Sequence, residues 1–123
     1  MVARITFTID CLDAEALSTF WLTALGYSSV QRAEPAGQYW VVRPADDREP
    51  LIVLQQVADP KHGKNRMHLD LHVEDLGAEV MRLQTLGARQ LTEYRVEGQG
   101  YASCVMADPE GNEFCVVQHR ADP

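Results

Sequence analysis

Polar and apolar residues alternate one for one along residues 4–10: Ile5, Phe7 and Ile9 fall on one face, Thr6, Thr8 and Asp10 on the other. A period of two predicts a strand with a single apolar face. The period then changes. Leu17, Phe20, Trp21, Ala24 and Leu25 recur at helical spacing, which predicts an amphipathic helix with Asp13 as N-cap and Gly26 as its C-terminal stop. Further strands are predicted over 27–31 and 38–43, joined by a turn at Pro35-Ala36-Gly37, and over the β-branched run 51–57. Residues 44–50 are polar and acidic and read as a loop.

The pattern then starts again. Residues 67–73 place Leu69, Leu71 and Val73 opposite His68, Asp70 and His72. Asp75 is the next N-cap, Val80, Leu83 and Leu86 form the next helical stripe, and Gly87 ends it. Strands are predicted over 90–96, 102–107 and 113–119. The Asp108-Pro109-Glu110-Gly111 run between the last two is turn chemistry. The segments from Thr6 to Tyr27 and from His68 to Ala88 are therefore two copies of one unit, with Thr6 and His68 at matching positions. Two copies are too few for an array. They predict one α+β domain over 1–123, made of two βαβββ modules (1–58 and 66–123) joined by a linker at 59–65.

Composition narrows the function classes. A chain of 123 residues can bury a sizeable core. Its net charge of −7 leaves no basic face for nucleic acid or an acidic membrane. The basic residues Lys61, Lys64 and Arg66 are a local loop feature. No apolar run is long enough for a bilayer, and the N-terminal segment does not read as a signal peptide, so a cytoplasmic location is expected. Cys11, Cys104 and Cys115 are an odd number without paired spacing, which argues against a disulfide framework or a structural zinc site and for free thiols.

A sheet with one helix per module is covered on one face only. The apolar sets Ile5/Phe7/Ile9 and Leu69/Leu71/Val73 must take that face, which leaves Thr6, Thr8, Asp10, His68, Asp70 and His72 on the other. Polar groups there need water, each other or a ligand. If the two modules curl around a shared cleft, they line a concave small-molecule site. The bland alternative is a sheet face that simply meets water.

The pairs Phe20-Trp21 and Leu25-Gly26-Tyr27, the run Leu86-Gly87-Ala88 and the turn Asp108-Pro109-Glu110-Gly111-Asn112-Glu113-Phe114 together resemble the vicinal oxygen chelate superfamily of glyoxalases, bleomycin-resistance proteins and extradiol dioxygenases. The stretch from Lys64 to Asp70 resembles its glyoxalase-like subgroup. The resemblance covers essentially the whole chain. It implies a cupped mixed sheet, commonly in a homodimer. It also implies metal-ligand positions on the first and last strand of each module, here Thr6, Gln55, His68 and Cys115. That set offers one imidazole, at most one thiolate and no carboxylate, against the carboxylate- and imidazole-rich sets that Mg, Mn or Fe prefer. No metal and no other cofactor is therefore expected, although Asp70 and His72 could complete a different site.

Two functional readings are open. One is a small-molecule-binding homodimer whose ligand touches Thr6, Thr8, Trp40, Gln55, Arg66, His72, Tyr101 and Cys115 besides His68 and Asp70. The other is an enzyme of lyase, isomerase or dioxygenase type, in which His68 and Asp70 form an acid–base pair. A third and weaker reading is a structural dimer with a vestigial pocket. For each residue a structural role competes: His68 bonded within the sheet, Asp70 paired with Arg66, Trp40 in the core, Cys115 a buried thiol rather than a nucleophile. Trp21, on the helical stripe, reads as core.

Overall fold

The computed structural model describes residues 4–33, 37–97 and 101–119. The chain divides into two compact units, Met1–Lys61 and His62–Pro123, with the boundary inside the 59–65 segment. The first unit runs β1 (Thr6–Cys11), α1 (Ala14–Leu25), β2 (Ser29–Ala33), β3 (Tyr39–Arg43) and β4 (Leu51–Gln56). Its sheet order is β1-β4-β3-β2, with β1 and β4 parallel and the remaining pairs antiparallel. The second unit runs β5 (Asp70–Val73), α2 (Leu76–Thr85), β6 (Arg89–Gln90), β7 (Arg95–Glu97), β8 (Tyr101–Ala107) and β9 (Glu113–His119). Its order is β5-β9-β8-β6, β7 also pairs with β8, and β5 and β9 are parallel. The chain is thus α+β, with the same strand order twice.

Both helices start by the same device. The Asp13 carboxylate accepts from the Ala16 N–H at 3.0 Å, and Asp75 accepts from Ala78 at 3.0 Å. A second helix N–H, otherwise without a partner, is met from the last strand of the unit. Gln56 Oε1 accepts from Ala14 N at 3.1 Å, and Gln118 Oε1 accepts from Leu76 N at 2.6 Å. These bonds satisfy first-turn donors that a helix cannot satisfy itself. α1 ends at Gly26, whose φ of 68° is left-handed, while the Tyr27 N–H reaches back to the Leu22 carbonyl at 3.0 Å. A residue without Cβ takes that conformation without penalty.

The strand phase matches the alternation. Phe7 is in register with Ile52 and Ile9 with Leu54, while Trp40 and Val42 sit across from Leu54 and Ile52. Register partners share a face. Leu17, Phe20, Trp21 and Ala24 of α1 are buried, as are Ile52, Leu54 and Val42, so this is the helix-covered side. Phe20 and Trp21 meet edge to face at 5.1 Å. Burying side chains of this size contributes about 2–3 kcal/mol each. In the second unit the covered face holds Cys104, Met106, Phe114 and Val116 against Val80 and Leu83 of α2, all buried.

Several strand limits differ from the sequence pattern. β5 begins at Asp70 rather than residue 67, although the Cys115 N–H still pairs with the Leu69 carbonyl at 2.9 Å. The strand expected over 90–96 is two, β6 and β7. Thr92 interrupts it: its hydroxyl accepts the Val105 N–H at 3.0 Å, taking a place that a strand carbonyl would fill. β2 begins at Ser29, two residues later than the pattern suggested. The turn expected at Pro35 and Ala36 lies outside the described residues. The Asp108 turn is tightly made. Its buried carboxylate accepts from the Glu110 and Asn112 N–H groups and from the Asn112 side-chain amide at 2.9–3.1 Å.

Candidate ligand-binding site

The face of the second unit opposite α2 carries most of the chemistry. His68 Nδ1 lies 3.0 Å from Asp70 Oδ1. Alternation puts the two side chains on one face, and the parallel register of β5 with β9 sets Asp70 directly against Cys115. One donor atom from each of His68, Asp70 and Cys115 lies within 4.8 Å of the other two. The trio is open to solvent, with His68 and Asp70 side chains 41% and 47% exposed and Cys115 half-buried. Burial, and then the adjacent Asp70 carboxylate, push the Cys115 thiol above its ordinary range. Both act against the anionic form.

Two strands and a linker hold this arrangement. The Asn65 N–H donates to Glu113 Oε2 at 2.9 Å, and its side-chain amide donates to the Glu113 carbonyl at 3.2 Å. Asn65 thus pins the linker against β9 just before His68. Further along the same face, the His72 ring stacks on His119 (centroids 5.4 Å, 17° between planes), and Tyr101 meets His119 edge-on at 5.4 Å. Val117 is the register partner of His72 and supplies an apolar element. His119 was absent from the sequence-level candidates. It was legible in principle: the Asp108 turn sets Ala107 against Glu113, and counting outward brings Tyr101 opposite His119.

The first unit shows what the duplication has not kept. The offset that carries Asp13 to Asp75 and Gln56 to Gln118 also carries Thr6 to His68, Thr8 to Asp70 and Val53 to Cys115. Thr8 and Val53 are indeed register partners, as Asp70 and Cys115 are. The structural counterpart of Cys115 is therefore Val53, two residues before Gln55. Thr6 and Thr8 are exposed, and Gln55, half-buried, donates from Nε2 to the Tyr39 hydroxyl at 3.3 Å. Gln55 and Tyr39 share the uncovered face. Trp40 does not: it is in register with Leu54 on the helix side, with the Arg32 guanidinium 6.0 Å from its ring. Arg66 is exposed, and among the described residues the ion-pair partner of Asp70 is His68, not Arg66.

A cavity of about 540 Å³ opens elsewhere, in the first unit, among Arg4, Phe7, Arg43, Asp46, Arg48 and Leu51. Three of its charged groups are already engaged. Arg48 pairs with Asp46 at 2.9 Å and holds that carboxyl below its usual range, and Arg43 Nε donates to Gln31 at 3.2 Å. Volume alone does not make a site, and the convergent chemistry lies on the second unit's open face.

The donors at the four positions implied by the resemblance do not fit a hard divalent ion. Thr6 and Gln55 offer a hydroxyl and an amide, His68 an imidazole and Cys115 a thiol that its surroundings keep protonated. Such ions take carboxylates, carbonyls and water. Asp70 is the one carboxylate in the trio, and it lies off those four positions.

Solved structures share this fold across nearly the whole chain. A glyoxalase family protein from Bacillus cereus aligns with a TM-score of 0.74 at 17% identity, covering 98% of this chain and 97% of its own. A member of the glyoxalase/bleomycin resistance protein/dioxygenase superfamily from Sphaerobacter thermophilus gives 0.70 at 19%, covering 95% and 97%. The protein UcmS2 gives 0.71 at 25%, covering 95% and 98%. No curated protein matches the chain. The family model described as a glyoxalase-like domain matches residues 6–117. With that match over nearly its full length and the βαβββ order present twice, the chain belongs to the glyoxalase-like domain family of the vicinal oxygen chelate superfamily.

Proposed function

We propose that this protein binds a small organic molecule on the open sheet face of its second unit, without using a hard divalent metal. The observation that carries the reading is the convergence of His68, Asp70 and Cys115 beside the His72–His119–Tyr101 group on the face of the second unit opposite α2. The first group supplies directional hydrogen-bond partners. The second supplies flat ring surface, which gives contact area at low entropy cost. A ligand with a planar ring and a polar edge matches both. A homodimer in the cytoplasm, without nucleic-acid or membrane partners, belongs to the same reading. Its support is the acidic composition and the family; in addition, no helix among the described residues is long and apolar enough to cross a membrane.

The test is a thermal-shift screen of metabolites and aromatic compounds on chelator-treated protein. A binder raises apparent stability according to its affinity and concentration. The reading expects a binder whose shift is lost in His68→Ala and Asp70→Asn. A binder whose shift survives both changes would contradict it.

One observation favours a second reading, an enzyme of lyase or isomerase type. The 3.0 Å contact between His68 Nδ1 and Asp70 Oδ1 orients the imidazole and leaves Nε2 to take or give a proton. Chemical change of the bound molecule, lost in His68→Ala, would establish it.

A further inference from the structure

The open face of the second unit extends one strand beyond the groups that define the site. β7 and β8 pair with Arg95 opposite Ser103, β8 and β9 with Ser103 opposite Val117, and β9 and β5 with Val117 opposite His72. Register partners share a face, so Arg95, Ser103, Val117 and His72 form one row straight across the sheet. Tyr101 and His119 make the row on one side of it, and Cys115 and Asp70 belong to the row on the other. Arg95 therefore stands at the edge of the face remote from Asp70. Neighbouring strands lie about 4.8 Å apart, which separates the backbones at the two ends of the row by about 14 Å.

This edge is where the face is short of acid. The chain has 18 acidic residues. On the open-face positions of β5, β8 and β9, however, the carboxylates are Asp70 and Glu113, and each already has a partner: His68 for Asp70, Asn65 for Glu113. Neither is on β8, the strand beside Arg95. Arg95 is exposed and Ser103 half-buried. Among the described residues, neither the Arg95 guanidinium nor the Ser103 hydroxyl has a hydrogen-bond or ion-pair partner. A guanidinium offers only donors, in a planar fork that matches a carboxylate. A serine hydroxyl next to it adds one more donor. Between these groups and His72 the row holds Val117, an apolar floor on which a ring can lie.

We propose that the molecule bound on this face is an aromatic anion whose negative group is held by Arg95 and Ser103. Its ring lies over Val117 against the His72–His119–Tyr101 group, and its uncharged polar end meets His68 and Asp70. The molecule lies one way round, because its negative group at the other end would face the Asp70 carboxylate, and like charges repel. Arg95 is then the residue that sets the charge of the ligand. The inference rests on the small-molecule reading and adds to it the ligand's charge and direction.

The experiment is calorimetric titration of chelator-treated full-length protein with aromatic acids and their matched carboxamides: para-hydroxybenzoate with para-hydroxybenzamide, and a hydroxynaphthoate with its amide. The acid of a pair should bind about tenfold tighter than the amide, the worth of hydrogen bonds to a charged group at an exposed position. Added salt should shrink that advantage. Arg95→Gln, with a thermal melt matching wild type, should bring the acid down to the level of the amide. Arg95→Lys should keep part of the preference, since it keeps the charge but not the fork. Arg95→Glu should reverse it. An amide that binds wild type as tightly as its acid, or an acid preference that survives Arg95→Gln, overturns the inference and leaves the small-molecule reading standing. If no member of either pair binds, that reading fails for these compounds' class and the inference falls with it.

Discussion

Asp70 and Cys115 stand directly opposite each other on adjacent parallel strands, 45 positions apart in the chain but paired in register. Burial, and then this neighbour, raise the Cys115 thiol from its ordinary value of 9.0. The expected outcome is an alkylation profile for Cys115 with a midpoint above 9.0 in metal-free protein, moving down in Asp70→Asn. The linkage to stability has a definite sign. Above pH 9 the unfolded chain has released this proton while the native chain still holds it. This contribution is therefore intact below that value and fades as pH rises toward the native pKa. Peptide-resolved alkylation checks the midpoint, and denaturant melts between pH 8 and 10 check the sign.

Gln56 and Gln118 each cap the first turn of their unit's helix from the last strand, across the same separation of 42 residues. Replacing Gln118 by Ala leaves the Leu76 N–H without its partner, which costs about 1–2 kcal/mol. Gln118→Glu keeps an acceptor and adds a negative charge at a helix N-terminus, which is favourable. Urea melts should show the Ala variant clearly destabilised and the Glu variant near wild type.

Asp108 is 3% exposed and bonded to the Glu110 and Asn112 backbone and to the Asn112 amide. Asp108→Ala should cost about 2–3 kcal/mol, the loss of charge-assisted bonds at a buried position. Because this turn sets the β8–β9 register, the variant should also lose the Tyr101–His119 contact. Thermal melts and the aromatic NMR cross-peaks between the two rings report each effect.

Trp40 is on the helix side of its sheet. Trp40→Ala should destabilise the fold by about 2 kcal/mol, less than for a fully buried aromatic. Affinity for any ligand found by screening should change little once folded protein is compared. A large affinity loss without destabilisation would place Trp40 in the site.

Much of this was legible in the sequence because local physics wrote it there. Period-two alternation separated His68, Asp70 and His72 from Leu69, Leu71 and Val73. Asp13, Asp75 and Gly26 marked helix ends through the groups a helix leaves unsatisfied. The doubled pattern gave the repeated unit. What did not show required register between distant strands. Cys115 is a partner of Asp70 only because β5 runs parallel to β9, and a parallel pair has no short turn to count from. The same blindness made Gln55, rather than Val53, look like the counterpart of Cys115. Trp40 and Tyr39 are adjacent, and which of them faces away from the helix is set by their register with β4, not by either residue's type. The break at Thr92 depends on a side-chain hydroxyl replacing a backbone group, which composition does not announce.

The central claim is that ligand binding occurs on the second unit's open face. The chain has four histidines, of which His68, His72 and His119 lie on that face and His62 belongs to the segment before β5. Long-range proton–nitrogen NMR of the imidazoles, recorded while a screened ligand is titrated into chelator-treated protein, reads all four at once. The account predicts saturable shifts at His68, His72 and His119 with His62 unmoved. Saturable binding that leaves those three resonances in place would contradict it.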